Sequence, residues 1–310
     1  MFGRIAAIAM NSYREAVRAR VLFGLLAAAL ATSAYSLVIA AMSLREEMRV
    51  VADITAASIS LYAVFTTIIL GATSLYRELE LKTIFPVLTR RLRRHEYVIG
   101  KYFGILATMI AFVGIDGGAA LAIMAFQSKA HMGFTAGVIG VMVAALAVLL
   151  IRAKFSRVFV VLPWSVAFFL AMALCADGAG GERQVLMVSC LLTIGELAIV
   201  GAVAMVFSSF SSPALTAIFT IMVFLIGRST DTLGNIPERQ FGTTIRTIGI
   251  VLAKIVPNLT AFVPARPLLL GQVPNVELWG YVGRAWVVAI AYACVLLAMS
   301  AVIFKKRDFQ

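Results

Sequence analysis

YRELELKTIFPVLTRRLRRHEYVIGK, residues 76–101, is a charged island in a chain that is otherwise mostly apolar. A long apolar run leads into it and another leads out. A bilayer core offers ions no partners, so the island must lie in water or among headgroups, with both flanking runs crossing the membrane away from it. Composition agrees: of 310 residues, 62% are hydrophobic and 14% charged, with mean hydropathy +0.98, whereas soluble domains carry about a quarter charged residues. Apolar runs long enough to span recur from end to end, so 1–310 reads as one all-α, polytopic transmembrane domain.

Eight spans are expected, at about 21–43, 54–76, 98–126, 135–151, 158–174, 185–207, 213–227 and 285–304. Against a hydrocarbon core of roughly 30 Å, 135–151, 158–174 and 213–227 are short, and six spans remain open if 135–174 folds back or lies in the interface. Residues 1–20 place Arg4, Asn11, Glu15 and Arg18 on one side of a helix with Ile5, Ile8, Ala9, Ala16 and Val17 around the rest. This pattern fits an amphipathic helix in the inner interface. A polar stretch of this length before a run long enough to span does not fit a cleaved signal peptide. The region 229–283 contains Pro237, Pro257, Pro264, Pro267 and Pro274 between apolar pieces too short to cross. It is expected to form a re-entrant outer hairpin held against protein.

The formal charge of +12 could point to nucleic acid, but the basic residues sit beside the apolar runs. With the N-terminus inside, 17 of the 27 Lys and Arg fall in short cytoplasmic segments. These are the N-terminal helix, the island, the turn Arg152–Arg157 and the C-terminal Lys305, Lys306 and Arg307. The distribution obeys the positive-inside rule and puts both termini in the cytoplasm of a cell whose inner membrane holds the chain. Membrane lipids are the expected partner of this charge, and nucleic acid is not. Cys175, Cys190 and Cys294 lie in or beside apolar runs and offer neither a disulfide framework nor metal spacing.

Catalytic signatures are not found. Gly100-Lys101 resembles the end of a P-loop, but His95 stands where its first Gly belongs and Tyr102 follows the Lys. No HExxH, paired-Cys motif or GxSxG occurs, and His95 and His131 are isolated. The expectation is a chain with no enzyme activity, no metal and no bound cofactor of its own.

Within the island, Glu78 and Lys82 are spaced i,i+4 in the favourable order. Leu81, Ile84, Phe85 and Leu88 form an apolar stripe, and Pro86 divides the segment. An amphipathic piece with acidic and apolar groups suits the groove of a soluble partner. Beyond Pro86, Arg90, Arg91, Arg93 and Arg94 suit headgroup binding and orientation. Two acids, Asp116 and Glu196, fall inside apolar runs, where ionisable groups are costly and either line a pathway or lock helices together. Gly117, Gly118, Ala119 and Ala120 beside Asp116 suggest close helix packing.

These pieces resemble, in order, the permease subunits of ABC-2 type ATP-binding-cassette transporters. The resemblance rests on YREAVRAR in the N-terminal helix, on RELELKT and TRRLRRHEYVIGK in the island, and on FSSFSSPALTAIFTIMVFLIG at 207–227. It extends to KIVPNLTAFVPARPLLLG at 254–271 and the terminal IFKKRDF. It implies that 77–95 is a cytoplasmic coupling segment contacting a separate ATPase subunit, with Glu78, Glu80, Lys82 and Thr83 as coupling positions. Ser208–Pro213 would be the tight inner turn between two spans. ATP and Mg would be bound by that partner, and a second permease subunit, identical or homologous, would complete an exporter. Such permeases usually have six spans, and 128–184 adds an apolar pair. The residues alone leave two other readings open: a proton- or ion-coupled secondary transporter working through Asp116 and Glu196, and a non-transporting membrane scaffold or sensor.

Overall fold

The computed structural model describes residues 2–43, 46–80, 94–130, 132–153, 157–235, 238–274 and 276–306. All secondary structure among these residues is helical. The main helices are α1 (Phe2–Val17), α2 (Arg20–Ala41), α3 (Glu47–Glu80), α4 (Arg94–Gln127) and α5 (Met132–Arg152). They continue with α6 (Arg157–Cys175), α7 (Gly181–Ser208), α8 (Pro213–Arg228), α9 (Glu238–Ile255) and α10 (Leu278–Lys306). Seven of them, α2 to α7 and α10, are long and apolar enough to cross a bilayer. The chain is therefore a polytopic integral membrane protein. The two short apolar stretches at 135–151 and 158–174 extend to 21 and 19 helical residues in α5 and α6. The third, α8, has 16 residues; at 1.5 Å per residue that is about 24 Å, less than a hydrocarbon core.

The core is built on α7. Nearly its whole circumference is buried, against α3, α4, α8 and α10. Small residues make this possible: a Cβ on Gly71 of α3 would stand 2.6 Å from the Cβ of Ala204 on α7. Where lipid is as apolar as leucine, such close backbone approach holds helices together. α4 is the second central helix, with α2, α3, α6, α7 and α10 around it. The extra pair in 128–184 is unequal. α6 packs closely on α4, whereas α5 leans on α6 and exposes Phe134, Val141, Val143 and Ile151. Trp164 Nε1 donates to the Met142 carbonyl at 2.9 Å and ties the pair together.

Several interior threonine hydroxyls are satisfied locally. Thr55, Thr66, Thr67, Thr108 and Thr220 each donate to the carbonyl four residues earlier, which removes the need for water in the bundle.

α1 lies along the start of α4. Gly100 and Gly104 of α4 form the notch: a Cβ on Gly104 would meet Ser12 Cβ at 2.5 Å and the Ala9 carbonyl at 2.6 Å. Arg4 reaches Glu96 at 3.9 Å. Lys101 donates to the Ser74 carbonyl of α3 at 2.8 Å, lies 3.7 Å from Glu15 of α1 and stacks over Tyr97. The α1 end of the bundle is thus one joined unit of α1, α3 and α4, extended to α10 by Tyr97 on Phe304.

Candidate functional site: a cleft floored by an ion pair

α8 enters beside the end of α7 after the turn Ser209–Ser212, where Ser209 and Ser300 share a 2.7 Å hydrogen bond. It stops at Arg228, level with Glu196. That residue lies about 18 Å along α7 from Ser208 and about 22 Å from Gly181, well inside the bundle. Arg228 and Glu196 form a bidentate pair: Nε donates to Oε1 at 2.6 Å and Nη2 to Oε2 at 2.8 Å. Nη2 also donates to Ser60 Oγ of α3 at 2.8 Å, and Ser60 Oγ donates to Oε2 at 3.4 Å. The guanidinium lies 5.4 Å from the Phe224 ring centre. Fork geometry with further hydrogen bonds is what a desolvated ion pair requires to offset its burial.

Beyond α8 the proline-rich segment folds back against the bundle. After α9 it returns to the level of Arg228. Leu259 N–H donates to the Gly227 carbonyl at 3.0 Å, and the ring of Phe262 lies where a Cβ on Gly195 would come within 2.9 Å. Asp231 fixes the loop by accepting from Thr260 Oγ1 at 2.7 Å and from Asn258 Nδ2 at 3.2 Å. The segment then rises to the end opposite α1. There Arg266 donates to both Asp53 at the start of α3 and Glu182 at the start of α7. Gln184 Nε2 holds the Leu269 carbonyl at 3.0 Å.

Between α3, α7, α8 and this segment is a half-open cleft of about 500 Å³. Ser60, Thr193, Phe224 and Arg228 lie at its floor, and Asp53 and Arg266 at its upper end. Its walls are mostly apolar, and Leu61 and Val263 stand at its open side about half exposed. Concave, largely apolar spaces with a few convergent polar groups are the usual form of a ligand site.

Of the residues singled out from sequence, Glu196 lies behind this cleft's floor, paired with Arg228. Asp116 does not: it is sealed between α2 and α4, with Ser33 Oγ donating to Oδ1 at 3.0 Å. Its glycine neighbours are packing positions, since a Cβ on Gly118 would stand 2.5 Å from the Phe168 ring. Glu78 and Glu80 fall in the last turns of α3, and Arg94 opens α4. Lys82, Thr83, Arg90, Arg91 and Arg93 lie outside the described residues. Sequence reasoning passed over Arg228, Arg266 and Ser60. Arg228 closes the apolar run 213–227 and looks like an ordinary span-end cation. A signal was present in pairing: one interior glutamate calls for one interior cation. The chain matches no protein-family model, and no curated protein matches it.

Proposed function

We propose that the chain is the transmembrane subunit of an ATP-binding-cassette exporter of the ABC-2 type, seated in the cell inner membrane with both termini cytoplasmic. The observation that supports this reading best is the double duty of α3. One end of this 34-residue helix runs into the island, and its other half supplies Asp53, Ala56, Ala57, Ser60 and Leu61 to the cleft. A push on 77–95 is therefore a push on a wall of the cleft. Lys101 and Glu15 join the α1 end of α3 to α1 and α4, so the three helices would move as one lever. In this mechanism a separate ATPase subunit binds ATP and Mg and docks on Glu78, Glu80, Lys82 and Thr83. Its closure tilts α3, and a second permease subunit completes the path for an apolar or amphipathic cargo. Arg90, Arg91, Arg93 and Arg94 hold the segment at the headgroups.

Purification of the detergent-solubilised chain from its own cells tests the proposal. A P-loop ATPase should co-purify, and Glu78→Lys with Glu80→Lys should release it. If none co-purifies and removal of 77–95 leaves activity intact, the coupling reading fails. An ion-coupled carrier would instead transport in vesicles without ATP and stop on Glu196→Gln.

A further inference from the structure

The ion pair at the cleft floor is unequally exposed. Glu196 is 0% exposed, with both carboxylate oxygens engaged, while the Arg228 side chain is 26% exposed. Arg228 Nη1 has no hydrogen-bond partner among the described residues, and neither do the hydroxyls of Ser189 and Thr193 on the same wall. Both oxygens of Glu196 are engaged by Arg228 and Ser60, and at the upper end Asp53 and Glu182 each accept from Arg266 through one oxygen. What the cleft presents at depth is a guanidinium edge and two free hydroxyls, and an arginine can only donate. The carboxylate that neutralises it stands behind it, away from the space.

We infer that the cleft binds a single-chain amphiphile with an anionic head, the head on Arg228, Ser189 and Thr193 and the chain leaving past Leu61 and Val263. A carboxylate or phosphate head would complete the guanidinium's hydrogen bonds in a low-dielectric site, where charge-assisted bonds are strong. A cationic head would meet the exposed side of Arg228 and be repelled. The open side carries apolar residues level with the ion pair, at the depth of lipid chains, so an apolar tail loses nothing by extending there. A volume of about 500 Å³ lies within the roughly 300–1,000 Å³ that holds a compact ligand, room for a head and the first part of one chain. This names a cargo class for the exporter reading, yet the site stands on the cleft alone.

The test uses the full chain in a maltoside detergent, without nucleotide or partner, and cis-parinaric acid as a fluorescent probe. Saturable binding of one probe per chain is expected, displaced by dodecanoate and dodecyl phosphate, far more weakly by methyl dodecanoate, and not by dodecylamine. Ala57→Trp, which fills the cleft from α3, should weaken binding by at least about tenfold. The paired change Glu196→Gln with Arg228→Gln leaves no buried charge and should weaken the carboxylate probe similarly while sparing its methyl ester. Equal binding of the acid, amine and ester overturns the inference, as does indifference to Ala57→Trp. Equal displacement by phosphatidylglycerol in nanodiscs overturns the single-chain assignment. Failure to bind in a chain that still stimulates an ATPase would remove this site and leave the coupling reading standing. Binding in a chain with no ATPase partner would do the reverse.

Discussion

Glu196 and Asp116 are both fully buried acids in long apolar helices, and a reading of either helix alone would treat them alike. Their surroundings separate them. Glu196 has an arginine and a serine on its two oxygens, brought from α8 and α3, and its partner borders open space. Asp116 has a single hydroxyl from α2 on Oδ1, and its Oδ2 has no hydrogen-bond partner among the described residues. It is flanked by glycines that press against Phe168 and Phe169. The first acid organises a junction of three helices around a cleft; the second sits within a packing seam. An interior acid thus acquires a role from what it anchors, and burial alone does not assign one.

The largest effect should come from breaking the Glu196 side of this contrast unevenly. Arg228→Met leaves a fully buried carboxylate without its cation and should cost about 3–5 kcal/mol, read as a lower unfolding midpoint in detergent. Glu196→Gln should cost less, because the exposed guanidinium can turn to water in the cleft. Replacing both by glutamine should restore most of the loss. If Arg228→Met costs no more than the double change, the pair is not the keystone described above. Next in size, Gly118→Val drives a side chain into Phe168 beside Asp116 and should cost about 1–3 kcal/mol by overpacking. Binding in the cleft should be unaffected, because α4 contributes no residue to its lining.

The seam and the cleft were not equally legible in the sequence. Long spans such as α2, α4 and α10 announce themselves because lipid demands the same thing of every exposed position, and no partner has to be known. The close packing at Gly117 and Gly118 was legible for a related reason: small residues in a span have few other uses. α8 was harder, since its 16 residues look like a minimal span, and only the pairing of Arg228 with Glu196 shows where it stops. That contact joins different helices, as do those of Arg266 with Asp53 and Glu182. Hydropathy carries no record of contacts between helices. Gly100 and Gly104 were in plain view, yet Gly100-Lys101 was weighed as part of a phosphate loop, while its use is to let α1 settle on α4. Lys82 and Thr83, proposed above as coupling positions, lie outside the described residues.

Two milder substitutions probe the contrast without disturbing the fold. Asp116→Asn keeps an acceptor for Ser33 and places an amide where Oδ2 had no partner, so stability should shift by less than about 1 kcal/mol. Smallest of all, Ser33→Ala and Ser60→Ala each delete one hydroxyl from one acid and should each cost about 0.6 kcal/mol, the usual worth of an interhelical hydrogen bond in a membrane. Stability therefore cannot tell them apart, and that is their use. Ser33 holds an acid outside the cleft's lining, so its loss should leave probe binding untouched. Ser60 accepts from Arg228 Nη2 at the cleft floor. Its loss frees one N–H of Nη2 for the ligand head while the other stays on Glu196, so the carboxylate probe should bind as well as before or tighter, while its methyl ester should not change. A parallel response in the two variants would mean that the cleft and the seam are one packing unit, and the distinction between the two acids would collapse.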